Sequence, residues 1–405
     1  MVQGSTRTVR PEREFLRLTE QWSDYEDDSE YSSSEYSTDS TDEEYTDLPP
    51  KVTLTSWTET GQDELMISVF KQRSYRGRNV IPSALANTLC ADLGVDGVLE
   101  ELNITLGTFY FLDSVISILG PYIIQNIDFG TAYAYLRRYW NDISTIEETL
   151  RIQEAEDREM RRNILANGRI TMRNVPPRRV WDLRANRVVP YWFACNKAWG
   201  ISHAWVDEKD RVYVMTSING EEWPVPMPKD ANLDLIRMEM LNFGAHYAWL
   251  DVLCLRQEGG KNEHLRLEEW KLDVPTIGSV YQQQLFSRVV FYFNGLGRPL
   301  RLTPGYFESD RCWFRRAWTL QEITTNPIIG GKAGKDVMNG QVERSLNRQL
   351  ASLQNMRQST SILDILSAMK RRVSTKPLDK VAGLVYLLRT SSIPIYDTKQ
   401  SPTDA

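Results

Sequence analysis

The chain is poor in the side chains that build most metal centres. Its 405 residues include only four cysteines and three histidines. Cys90, Cys195, Cys254 and Cys312 form no CxxC pair and have no nearby CxxH. A zinc ribbon or finger needs clustered soft ligands, so no structural zinc site is expected. The wide spacing also departs from a secreted disulfide framework and fits a reducing, cytoplasmic compartment. His203, His246 and His264 are too scattered for a multi-histidine centre, and each reads as a packing or surface residue. No metal ligand set is expected. Long apolar runs are missing too. The N-terminal MVQGSTRTVRPEREF has no leader-like apolar core. The greasiest stretch, Thr108 to Ile124, contains Asp113 and a Gly120-Pro121 break. A membrane span needs about 20 mostly apolar residues, so this stretch reads as a buried or amphipathic helix.

Positive charge is scarce at one end. Residues 1–50 carry 14 acidic and 4 basic side chains, a net of −10. The rest carries 48 − 4 = 44 basic and 54 − 14 = 40 acidic residues, a net of +4. The overall −6 argues against a strongly basic nucleic-acid binder. Residues 21–48 contain no Lys or Arg and alternate acids with Ser, Thr and Tyr. Such a segment buries too little apolar surface to offset its chain entropy. Residues 1–50 are therefore expected to be a disordered acidic tail, either simply solubilising or a phosphorylation-rich interaction segment.

Residues 51–170 read as mostly helical. From Ser144 to Asn163 acids precede bases at i,i+4 in Glu147/Arg151, Glu154/Arg158 and Asp157/Arg161, which supports an exposed connecting helix. After Pro176-Pro177 the texture changes, and residues 171–405 read as an α/β domain. Trp199–Trp205, Arg211–Ile218, Tyr247–Leu253 and Arg288–Phe293 are strand-like, with a short strand at Ile328-Ile329. Residues 232–243 and 311–323 read as helices, while Pro275 limits a helix around Trp270–Tyr281. Strands separated by helices predict parallel pairing with crossover helices.

In such sheets, ligands bind beyond the carboxyl ends of the strands. Asp207 follows the first strand, and Asp251 lies near the end of another. On the predicted helix 311–323, Arg311, Arg315, Trp318 and Glu322 fall on one stripe, opposite Trp313, Ala317, Leu320 and Ile323. Gly259-Gly260 alone is no dinucleotide fingerprint.

Three blocks resemble the fungal heterokaryon-incompatibility domain. They are Ile201-Ser202-His203-Ala204-Trp205, Trp249 to Gln257 (WLDVLCLRQ), and Arg315 to Glu322 (RRAWTLQE). The family shows an SYxW or SHxW strand, a WIDxLCIxQ strand and an RxWxxQE helix in this order. Two further stretches, EWKLDVPTIGSVY ending at Tyr281 and PLDKVAGLVYL from Pro377, resemble its later segments. The match covers roughly residues 190–390. The chain departs from the family where Val206 and Asp207 follow Trp205, in the loop Glu258 to Leu267, and at Leu255-Arg256.

The resemblance implies a fold and two functions. The family is considered distantly similar to Toll/interleukin-1 receptor (TIR) domains. The implied fold is therefore a TIR- or flavodoxin-like parallel sheet flanked by helices. Family members act as effectors of non-self recognition and regulated cell death. The first implied function is a self-associating signalling module. Its partners would be further copies of itself or another death-signalling protein, without nucleic acid or a membrane span. There Asp251 caps a loop, Gln257 and Glu322 satisfy buried backbone groups, and no cofactor is required. The alternative is an NAD glycohydrolase, since several TIR domains cleave NAD with a helix glutamate within WCxxE. Here Trp318 to Glu322 is similar, with Thr319 in the cysteine place. Glu322 would stabilise the oxocarbenium-like transition state and Trp318 would pack on the nicotinamide. Arg315 or Arg256 would hold the pyrophosphate, with Asp207, Asp251 and Gln257 lining the substrate.

Overall fold

The computed structural model describes residues 48–142, 145–194, 196–281, 286–324, 327–334, 339–358 and 361–397. The expected acidic tail lies almost wholly outside the described residues. From Leu48 onward the chain opens with a small antiparallel pair, β1 (Val52–Thr55) and β2 (Ser74–Gly77). Four longer helices follow: α1 (Cys90–Leu106), α2 (Leu112–Ile124), α3 (Phe129–Arg137) and α4 (Ile146–Asn163). Residues 51–170 are thus largely helical, and the greasy stretch supplies α2. Asp128 starts α3 by accepting from the Thr131 N–H at 2.7 Å. Two of the expected pairs form on α4, Glu154–Arg158 at 2.6 Å and Asp157–Arg161 at 2.9 Å. Arg151 instead takes Glu148, one residue nearer than Glu147, at 2.7 Å.

The main sheet has six strands: β3 (Arg179–Asp182), β4 (Arg187–Pro190), β5 (Ala198–His203), β8 (Tyr247–Leu250), β9 (Phe286–Tyr292) and β10 (Pro327–Ile329). Between them in sequence, β6 (Arg211–Val214) and β7 (Val225–Pro228) form a separate antiparallel hairpin. The longer helices of this part are α5 (Leu233–Asn242), α6 (Glu263–Asp273), α7 (Gly340–Gln358), α8 (Ile362–Lys370) and α9 (Pro377–Val385). The sheet order is β10-β9-β5-β8-β3-β4. The first four strands in that order run parallel. β3 and β4 join antiparallel at the β8 edge, so the sheet is mixed rather than wholly parallel. The β3–β4 turn explains the reversal. Asp182 Oδ1 accepts from the N–H groups of Arg184 and Ala185, and Asn186 takes a left-handed φ of 54°.

Every residue of β5 is buried. Gly200 lets Tyr281 and Val289 approach, because a Cβ there would sit 3.1 Å from the tyrosine ring. The helical region and the sheet share one hydrophobic core. A polar tie runs through it. Arg237 of α5 is fully buried and donates to the carbonyls of Leu183, Ile81 and Arg184. It also lies 3.5 Å from Glu59. Ser83 sits between Glu59 and Asp234, and Asn186 donates to both Ser83 and Asp234.

The predicted helix over 311–323 does not form. Two single 3₁₀ turns, Trp313–Arg315 and Trp318–Leu320, replace it. Arg316 is extended (φ −81°, ψ 140°) and pairs with Val373. The Val373 N–H reaches Arg315 O at 2.6 Å, and the Ala317 N–H reaches Val373 O at 2.9 Å. This tertiary pairing outweighs the helical period. Trp313 turns inward against Phe291 and Phe293, so the predicted stripe of Arg311, Arg315, Trp318 and Glu322 is broken up.

Candidate functional site

The carboxyl ends of β5 and β8 present a polar cluster at the predicted positions Asp251 and Glu322. Read in chain order, the parallel strands β5, β8, β9 and β10 lie 2-1-3-4 across the sheet. The chain thus passes from β5 to one side and then crosses to the other. Such a switch point is where open α/β sheets place ligands. β5 ends in Ser202 and His203, and Asp251 directly follows β8.

Two chains of contacts start there. Trp313 Nε1 donates to Ser202 Oγ at 2.7 Å, and Ser202 Oγ donates to Glu322 Oε2 at 2.5 Å. This chain is closed: Ser202 is 1% exposed and Glu322 9%. Burial pushes the Glu322 carboxyl above its ordinary range, although Ser202, Arg316 and His203 favour the charged form. The second chain is more open. His203 Nε2 lies 2.9 Å from Asp251 Oδ1, and the Asp251 side chain is 26% exposed. Burial pulls Asp251 upward, but His203, Arg316 and the Val252 N–H outweigh it and hold the carboxyl below its usual value. The Val252 N–H donates to Asp251 Oδ1 at 2.8 Å. His203 Nδ1 faces Ala204 O at 3.2 Å, so both ring nitrogens meet oxygen acceptors.

Guanidiniums surround these carboxylates. Arg316 donates to His203 O at 3.1 Å and sits over the Trp205 ring at 5.6 Å. Burial lowers its affinity for the proton, Glu322 and Asp251 raise it, and Arg211 and Arg311 repel it. Arg211, the first residue of β6, sits over the same indole at 4.8 Å and donates to Val206 O. Arg372 donates to Arg316 O at 2.6 Å and to Thr319 Oγ1 at 2.7 Å. Burial brings its pKa down to about 10.

The predicted residues divide. Glu322 and Asp251 lie in this cluster, and Asp207 lies at its margin. Asp207 pairs with Arg311 at 2.5 Å, with both side chains well exposed (42% and 57%). Gln257 turns to backbone, donating to Leu255 O at 2.8 Å and Asp251 O at 3.3 Å. Trp318 is half-buried, 6.4 Å from the Tyr396 ring. Arg315 is held by Asp310 at 3.0 Å and by Glu308 O. Arg256 is buried elsewhere, with Glu222, Glu269 and Trp223. His203, read from sequence as packing or surface, proves central. So do Ser202, Trp205, Arg211, Arg316 and Arg372. Ser202, His203, Trp205 and Arg316 stood inside the quoted motif blocks, while nothing in the sequence marked Arg211 or Arg372.

Among the described residues, no group of three or more His, Cys, Asp or Glu side chains is placed to hold a metal ion. None of the described helices is long and apolar enough to cross a membrane. Comparison with known proteins finds no matching protein family, no matching curated protein and no matching solved structure.

Proposed function

We propose that the chain is an effector module of fungal non-self recognition that promotes regulated cell death by self-association, with Glu322 structural. The observation that carries this reading is the closed Trp313–Ser202–Glu322 chain of hydrogen bonds, with Glu322 only 9% exposed. A carboxylate that meets a ribose must be reachable, and this one is spent inside the core. Gln257 binds a backbone carbonyl and Asp251 a backbone N–H, in line with the signalling reading, while Glu322 meets the Ser202 hydroxyl instead of a backbone group. The quoted motif blocks supply the family, and the 2-1-3-4 order of the parallel strands agrees with a flavodoxin-like or TIR-like core. Partners would be further copies of the chain or another death-signalling protein in the cytoplasm, and no cofactor is needed.

The alternative is cleavage of the nicotinamide–ribose bond of NAD by Glu322. It requires Glu322 to leave Ser202, and it loses Arg315 and Arg256 as pyrophosphate ligands, because both are engaged elsewhere.

The test compares the wild type with Glu322→Gln for nicotinamide release from NAD at high protein concentration and for toxicity on expression in fungal cells. The signalling reading expects no nicotinamide from either chain, concentration-dependent oligomers in light scattering, and toxicity retained by a folded Glu322→Gln chain. Nicotinamide release by the wild type, lost together with toxicity in a folded variant, overturns it.

A further inference from the structure

Three guanidiniums converge beside β5. Arg211 and Arg311 each push on the charge of Arg316. Arg311 is answered by Asp207. Arg211 and Arg316 have no carboxylate within ion-pairing distance among the described residues, and each guanidinium makes a single hydrogen bond, to a backbone carbonyl. Their Cζ atoms lie 4.8 and 5.6 Å from the ring centre of one indole, that of Trp205. The buried Nε of Arg211 donates to nothing. An unmet buried donor calls for a partner, and like charges gathered without one are costly.

The nearby carboxylates are already committed. Asp251 is bound by His203 and the Val252 N–H, and Glu322 by Ser202. Counting the group, Arg211, Arg311, Arg316 and Arg372 face Asp207, Asp251 and Glu322, four cations against three anions. The excess of donors sits at the switch point of the sheet.

We propose that Arg211 and Arg316, both in contact with Trp205, form a binding site for a phosphate-type oxyanion. Planar guanidinium forks match such oxygens with two parallel hydrogen bonds. A bound oxyanion relieves the repulsion between the two arginines and supplies the acceptor that Arg211 Nε lacks. Neither arginine was a candidate from sequence. The site stands apart from whether Glu322 is structural or catalytic.

Calorimetric titration of the full chain tests this at low and moderate salt, with inorganic pyrophosphate and with ADP as probes. Pyrophosphate is expected to bind, more weakly as salt rises. Arg211→Gln should weaken binding about tenfold or more, the loss of a charge-assisted pair. Arg158→Gln, which removes one positive charge from the exposed face of α4, should leave affinity unchanged. Asp207→Asn frees Arg311 and should tighten binding, so the proposal does not hang on one variant folding. Equal affinity for pyrophosphate and ADP assigns recognition to the oxyanion. No pyrophosphate binding, binding of ADP alone, equal losses in Arg211→Gln and Arg158→Gln, or no tightening in Asp207→Asn would each overturn the proposal.

Discussion

Replacing Glu322 by glutamine keeps the shape of the side chain and removes its charge. In the folded chain burial is the largest influence on this carboxyl, and it lifts the pKa above the ordinary 4.5 against the pull of Ser202, Arg316 and His203. The folded chain therefore holds this proton more tightly than the unfolded chain. Above the ordinary value the folded state carries more bound proton, and stability falls as pH rises, by at most about 1.4 kcal/mol per pH unit for one group. The loss is complete once pH exceeds the folded-state pKa. The Glu322→Gln chain lacks this titration. At the acid end both side chains are neutral; the amide oxygen can accept from Ser202 as Glu322 Oε2 does, but two N–H donors then replace the single carboxyl O–H. Leaving such donors unmet costs about 1–3 kcal/mol. The variant should thus be the less stable chain at acid pH, and the gap should narrow as pH rises above the ordinary carboxyl range. Urea unfolding of both chains across that range reads the difference directly, free of the titrations they share. A gap that widens with pH would show a carboxylate stabilised in its charged form, and the argument from burial would fail.

Arg237→Met should lower stability by about 3–5 kcal/mol, since it strands Glu59 and the carbonyls of Ile81 and Leu183 in the core. A urea midpoint shift worth under about 1 kcal/mol would show that these groups find other partners. Gly278→Ala places a Cβ 2.4 Å from Tyr386 Cγ and should cost about 1–3 kcal/mol through overpacking. Thermal unfolding within a degree or so of the wild type would show that Tyr386 moves aside freely.

Much of the sheet was legible because its central strands are uninterrupted buried runs. WGISHAW, YAWLDVL and RVVFYF became β5, β8 and β9, although the turn at Asp251 shortened the second. The period of residues 232–243 gave α5, with Asn232 accepting from the Asp234 N–H. Residues 311–323 carry an equally good helical period, yet Val373 claims the backbone of Arg315 and Ala317. Periodicity reports which side chains want burial and says nothing about a competing bridge partner 57 residues away. The same holds for RVYVMTSI, which is strand in part but pairs in its own hairpin. At the site, Asp251 and Glu322 were placed by motif position. Arg256 and Arg315 lie on other carboxylates, Glu222 and Asp310, because a guanidinium takes whichever carboxylate the fold brings near. The role of His203 depends on Asp251, 48 residues on, and neither residue alone announces the pair.

The bridge between Arg316 and Val373 sets a timetable for the chain during synthesis. Ser202 waits for Trp313 and Glu322, over a hundred residues later. Arg316 in turn is held in place by Arg372 and Val373. Strands β5 and β8 can pair as soon as both have emerged, but the polar cluster at their ends remains unassembled until residue 373 has left the ribosome. Domains form as units while the chain grows from its N-terminus. A nascent chain stalled before that point therefore carries the sheet without its site, and any signal or ligand the site serves is withheld from unfinished copies.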